Sequence, residues 1–328
     1  MTEASNTTFG VALALYLVAM IGYLHNFAYR RPAPLAAARV VAYLGLAAHA
    51  ASVVLRGLAA GRVPWGNMYE YASVVGLAIV AVYLLVVERR VEARRLGGFV
   101  LGATVLIMAA STMVYVEPGP LIPALNSGWL RVHVLAAIVS SALFTLGFVF
   151  TVLYLIQDRR ERRVERGAEQ RAPAMASASV GSGLPHDLAV ESDPQEGRAT
   201  VTLGPERGNG HGGMPGRPTR RGRLPTSAAL DDLAAKAITF AFPLWTFAVV
   251  AGAIWAEQAW GRYWGWDPKE VWSFVTWVLF AGYLHARATQ GWRGRRAAVI
   301  AVLGFAALLF NLIVVNLVVS GLHSYAGV

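Results

Sequence analysis

The chain has 328 residues, 56% of them hydrophobic and 15% charged, with a mean hydropathy of +0.47 and no cysteine. A soluble domain carries roughly a quarter charged residues, so an ordinary soluble fold is excluded, and without thiols the chain has no disulfide, thiolate metal site or thiol nucleophile of its own. The net charge of +10 does not mark a nucleic-acid groove: the arginines gather in short loops between apolar runs and in one long polar segment, as membrane topology and anionic lipid headgroups require.

Runs of roughly twenty apolar residues, the length that crosses a hydrocarbon core of about 30 Å, predict eight spans. The first, 8–29, follows no basic n-region or small-residue cleavage site and is read as a retained span. It carries His25 near its end in "GYLHNF", and Arg30, Arg31 and Arg39 flank the turn to the second span, 36–59, which holds His49 near its middle. Next comes "GRVPWGNMYE" (61–70), where Asn67 reads as a helix cap with Glu70 three positions on. Span 69–87 follows, then a loop with Arg89, Arg90, Arg94 and Arg95, then span 97–116. After a loop with no basic residue, span 129–156 opens within "SGWLRVHV", which puts His133 four residues in.

Residues 157–230 differ in kind. They are rich in Gly, Pro, Ser, Arg and Glu, and no Phe, Trp or Tyr occurs between Tyr154 and Phe240. Such a segment buries too little apolar surface to offset its ordering entropy. It is expected to be a disordered cytoplasmic linker, with His186 and His211 as solvated residues, joining a five-span half (1–156) to a three-span half (231–328).

The sixth span, 237–257, leads into "AWGRYWGWDPKEVW" (259–272), whose aromatic density exceeds that of a membrane-interface belt. Asp267, Pro268 and Glu270 read as N-cap, N1 proline and N3 glutamate of the seventh span, 271–288. His285 lies near the end of that span, and Arg287, Arg293, Arg295 and Arg296 form the next connection. The eighth span, 297–320, ends before "GLHSYA", which contains His323.

Basic connections thus alternate with segments (60–68, 117–128, 258–270 and 321–328) whose only basic residues are Arg62, Arg262 and Lys269. The positive-inside rule places both termini and the tryptophan loop outside the cytoplasm. The expected architecture is an all-α polytopic membrane protein of about eight helices. On the outer side two histidines from separate spans, His133 and His323, bracket a tryptophan-rich loop. Neutral imidazoles and flat aromatic walls suit an iron porphyrin. Two other classes stay open on the residues alone. A b-type cytochrome pairs histidines on one helix, and no span here holds two; a transporter wants polar groups at mid-membrane, and only His49 and scattered glycines answer.

The segment "WAEQAWGRYWGWDPKEVWSFVTWVLFAGYLHAR" resembles the tryptophan-rich WWD signature of haem-handling membrane proteins, and most closely the CcsA/ResC-type subunit of the system II cytochrome c synthase. The similarity extends to "GRVPWGNMYE", "LIPALNSGWLRVHV", "LDDLAAKAITFAFPLW" and "GLHSYA". This resemblance implies that His133 and His323 are axial ligands of haem iron, and that Trp260, Trp264, Trp266 and Asp267 position the porphyrin and with it the reaction. It implies that His285 belongs to a second, inner haem site whose opposite ligand comes from a CcsB/ResB-type partner, with His25 and then His49 as internal substitutes. It implies a bacterial cytoplasmic-membrane protein that binds haem b non-covalently and joins it through thioethers to the CxxCH cysteines of an apocytochrome c. The thiols then belong to the substrate, kept reduced by a thiol-reducing partner. Asp267, Lys269 and Glu270 orient the loop or meet the haem propionates, with capping the expected role of Asp267 and Glu270. A haem-delivery protein without ligation activity is the alternative within the same superfamily.

Overall fold

The computed structural model describes residues 1–29, 32–89, 91–120, 125–180, 224–319 and 321. Among them there is no strand, and eight long helices carry the chain: α1 Thr2–Tyr29, α2 Pro32–Ala60, α3 Met68–Val82, α4 Gly97–Thr112, α5 Gly128–Val180, α6 Ser227–Trp260, α7 Pro268–Thr289 and α8 Arg295–Leu309. A π turn, Tyr83–Val87, extends α3, and a 3₁₀ segment, Val91–Leu96, leads into α4. A second π turn, Phe310–Val314, and a last helical turn, Val315–Leu317, extend α8.

Seven of these helical stretches are long and apolar enough to cross a membrane. The remaining one, α7, is long enough at 22 residues, but Lys269 and Glu270 at its start and His285 and Arg287 near its end bound a shorter apolar run. The expected eight-helix architecture is therefore present, with the predicted span ends displaced by a few residues at most positions. The larger departures are at the expected linker: α5 continues past 156 and α6 begins at Ser227. Residues 181–223 of that linker lie outside the described residues. Met1–Asp158 and Arg223–Val328 form one compact unit. Arg159–Gly222 form another, helical in its described part up to Val180.

Within the larger unit α5 joins two apolar cores. Its Ile138, Ala142, Leu146 and Phe150 pack with α1–α4, around Tyr16, Tyr23, Ile79, Tyr83 and Leu101. Its Ala136, Ala137 and Phe144 pack with α6–α8, around Trp245, Phe280, Tyr283 and Phe305. Phe144 stacks on Phe280 at 3.8 Å between ring centroids, and Phe148 on Phe305 at 4.2 Å. The outward residues of the same helices, such as Val18, Ile21, Val54, Phe240 and Val299, remain exposed. This apolar-all-round pattern is what a membrane span requires.

Several polar groups inside this unit are paired. Glu88 accepts a hydrogen bond from the Tyr23 hydroxyl at 2.6 Å and pairs with Arg39 at 3.0 Å. His49, fully buried, bonds Ser73 Oγ through Nε2 at 3.1 Å and meets Phe9 and Tyr16 edge-on. Its surroundings are those of a packed core residue on α2.

Candidate functional site

Two capped turns, one before α3 and one before α7, are built alike. In the first, Asn67 Oδ1 accepts the Glu70 backbone N–H at 2.9 Å, and Glu70 Oε2 accepts the Gly66 N–H at 2.8 Å. In the second, Asp267 is the N-cap and accepts the Lys269 N–H at 3.2 Å; Glu270 Oε2 accepts the N–H groups of Gly265 at 2.8 Å and Asp267 at 3.0 Å. Each glutamate thus reaches back past its helix start and fixes a Trp-Gly dipeptide: Trp65-Gly66 in one turn, Trp264-Gly265 in the other. Backbone amides at a helix start donate readily to such carboxylates, helped by the helix dipole.

The first turn is held from behind by buried charge. Glu70, 1% exposed, pairs with Arg56 Nε at 3.0 Å and Arg62 Nη1 at 2.8 Å. Arg56 also lies over the rings of Tyr69 and Tyr115 and donates to the Val116 carbonyl, while Arg62 donates to the Gly119 carbonyl at 2.9 Å. The second turn starts from Gly261, which ends α6 in the left-handed conformation (φ 70°) that glycine adopts without strain. Trp266 adopts φ 59°, unusual for a residue with a side chain, and is 68% exposed.

Between the turns lies a cavity of about 190 Å³. Trp65, Asn67 and Met68 line it from one turn, Tyr263 and Trp264 from the other. Arg131 and His133 of α5, Trp245, Gly252 and Trp255 of α6, and Lys269, Glu270, Ser273, Asn311 and Asn316 also line it. Segments that the arginine count assigned to one side of the membrane therefore meet at one site.

His133 Nδ1 lies 2.6 Å from the carbonyl oxygen of Ala248. A carbonyl only accepts, so Nδ1 carries the hydrogen, and Nε2 is the lone-pair nitrogen of the neutral ring, the form that binds a metal. Gly252 permits this approach: a Cβ there would stand 2.7 Å from His133 Nδ1.

The opposite wall is polar. Lys269 Nζ donates to Asn316 Oδ1 at 2.7 Å and more weakly to the Asn311 carbonyl at 3.4 Å. Asn311 Nδ2 donates to Ser273 Oγ at 2.9 Å. Asn311 is presented by the π turn after α8, which shifts the helical register at the cavity. Trp65 Nε1 and Asn311 Oδ1 are buried here without a hydrogen-bond partner.

Of the residues singled out in the sequence, His133 and Trp264 line the cavity. Trp260 packs against Trp255 at 4.8 Å and does not line it, nor does the exposed Trp266. Asp267, buried, caps α7, and its carboxylate stands against Gly321: a Cβ built on Gly321 would lie 2.7 Å from Oδ1. His323 lies outside the described residues. His285 is exposed on α7; His25 is exposed on α1 with its ring 4.6 Å from that of Tyr29. Trp65, Trp245, Gly252 and Asn311 were not singled out; only the tryptophan and glycine of "PWGNMYE", matched by "YWGWDPKE", carried a readable signal.

The chain was compared with known proteins. The family model described as "Cytochrome C assembly protein" matches residues 65–323. "Cytochrome c biogenesis protein CcsA" of Synechococcus elongatus is 34% identical over 324 residues, covering 98% of this chain and 95% of that protein. The protein of the same description from Porphyra purpurea is 32% identical over 326 residues, covering 98% and 97%. Among solved structures, "Cytochrome c Heme Lyase CcmF" aligns with a TM-score of 0.60 at 16% identity, covering 95% of this chain. The chain spans about half of that longer protein (46%), and the likeness is one of fold.

Proposed function

Because the chain belongs to the cytochrome c assembly protein family, we propose that it handles haem b in a bacterial cytoplasmic membrane and, together with a CcsB/ResB-type membrane subunit, attaches it to apocytochrome c on the outer face. The observation that carries this reading is the cavity itself. One imidazole, its Nε2 free of the proton and fixed through Nδ1, enters a chamber walled by Trp65, Trp245, Trp255 and Trp264. Flat aromatic walls and a neutral histidine suit a porphyrin and its iron.

Haem is the substrate here. His133 and His323 are its axial ligands, and the opposed Trp65 and Trp264 turns hold its plane. Trp260, Trp266 and Asp267 support the loop from outside the cavity: Trp260 against α6, Trp266 at the exposed rim, Asp267 as cap and contact of Gly321. The reaction adds a substrate S–H across a vinyl C=C bond, with no net oxidation or reduction. The thiols come from the CxxCH substrate, which a separate thiol-reducing partner keeps reduced, because this chain has no cysteine. Positioning two reactants is worth several orders of magnitude in rate.

His285 serves an inner site. An exposed histidine on a membrane helix is costly unless it is covered, and an imidazole from the partner subunit would cover it as the opposite ligand. The test is co-expression of the chain with an exported CxxCH reporter, with and without the partner, followed by staining for covalent haem. Product only with the partner is expected; product without it overturns the two-subunit assignment.

Gly252→Ala probes the cavity without removing a ligand. An added Cβ displaces the His133 ring from Ala248, while alanine favours the helix itself by roughly 0.5–1 kcal/mol. The chain is expected to fold normally but retain about ten- to a hundredfold less haem, the usual effect of losing the partner that orients a ligand. Haem content per chain after purification reads this directly, and wild-type content in Gly252→Ala would contradict it.

A further inference from the structure

Lys269 is set apart from its neighbours by what it does not share. Asp267 and Glu270 are engaged in the cap, but the Lys269 ammonium turns away from the turn, into the cavity, onto two neutral acceptors of the segment after α8. Among the described residues it has no ion-pair partner. An ammonium carries three donors, and these two contacts use two of them, the second at 3.4 Å. The Asp267 carboxylate acts on the ammonium through space and Glu270 also lines the cavity, but both carboxylates are hydrogen-bonded to backbone amides of the turn. In a turn from a different part of the chain that lines the same cavity, Trp65 Nε1 is a buried donor without a partner. Two donors, one of them charged, point to a ligand that brings its own anionic acceptors.

We propose that Lys269, with Trp65 Nε1, forms a carboxylate subsite that receives the propionate groups of the haem. The inference rests on the reading of the cavity as a haem site and adds its orientation. Propionates and vinyl groups lie toward opposite edges of the macrocycle, so anchoring the carboxylates at Lys269 turns the vinyl edge away from α8. The Asn316 and Asn311 contacts hold the ammonium in place, and Ser273 supports Asn311 in turn.

The experiment is a titration of the purified full-length chain in detergent with haem and with its dimethyl ester, whose carboxyl groups carry no charge. The wild type is expected to bind haem about ten- to a hundredfold more tightly than the ester, the range of a hydrogen bond to a charged group. Lys269→Gln should lose most of this preference while binding the ester as the wild type does, and Lys269→Arg should keep it. Equal binding of haem and ester by the wild type overturns the proposal whether or not any variant folds. Full preference in Lys269→Gln overturns it as well. A wild-type chain that binds neither compound overturns the haem reading itself, a result distinct from equal binding.

Discussion

His133→Ala should cut covalent haem attachment to a CxxCH reporter by at least about a hundredfold, the upper end of what losing a mere outer-shell partner costs. The residue is half-buried, and its Nδ1 donates a hydrogen bond to the carbonyl of Ala248. Losing that hydrogen bond costs about 1 kcal/mol, so the bundle is expected to remain folded while the site loses its proposed iron ligand. Exogenous imidazole fits the space left by the ring and should restore part of the activity. Restoration separates loss of a ligand from loss of structure, since a small base cannot refold a helix. Attachment at the wild-type level without imidazole would remove His133 from the site.

Glu70→Ala should be the most destabilising single change in the site, at about 3–5 kcal/mol, the cost of breaking a buried ion pair from one side. Glu70 is nearly inaccessible between Arg56 and Arg62 and also holds the Gly66 amide. Without it the Arg56 guanidinium stays buried beside Tyr69 and Tyr115 with no counter-charge. Trp65, one residue before Gly66, then loses the constraint that sets it against the cavity. The unfolding midpoint in detergent reads the stability, and haem content of the folded fraction reads the turn. A loss below about 1 kcal/mol, the range of an exposed pair, would mean that Glu70 and its arginines do not hold the turn. Glu270→Ala affects the second turn in the same way but through amides alone, so a smaller loss is expected, about 1–3 kcal/mol for amides left without an acceptor.

The helices were legible because membrane spans announce themselves by length and apolarity, and the caps because they are local. Asn67 to Glu70 and Asp267 to Glu270 each lie within one turn, and both formed as read. His133 and Trp264 were found by a coarser route, through the charge alternation that put their segments on one side. What stayed hidden is non-local. Gly252 matters only because α6 passes His133, and Asn311 only because a π turn rotates it into the cavity. No periodicity in α6 or α8 distinguishes those positions from their neighbours. The tryptophans divided for a similar reason: five fall within 255–272, but α6 presents Trp255 to the cavity, while loop geometry sends Trp264 inward and Trp266 outward. Composition supplied their density and could not supply their directions.

The most direct measurement is the optical spectrum of the purified chain carrying haem, compared with His133→Ala and His323→Ala. A six-coordinate low-spin spectrum is expected from the wild type, and a shift to high spin from each variant, reversed by added imidazole. A low-spin spectrum that persists unchanged in His133→Ala without imidazole would contradict the assignment of this cavity as the haem site.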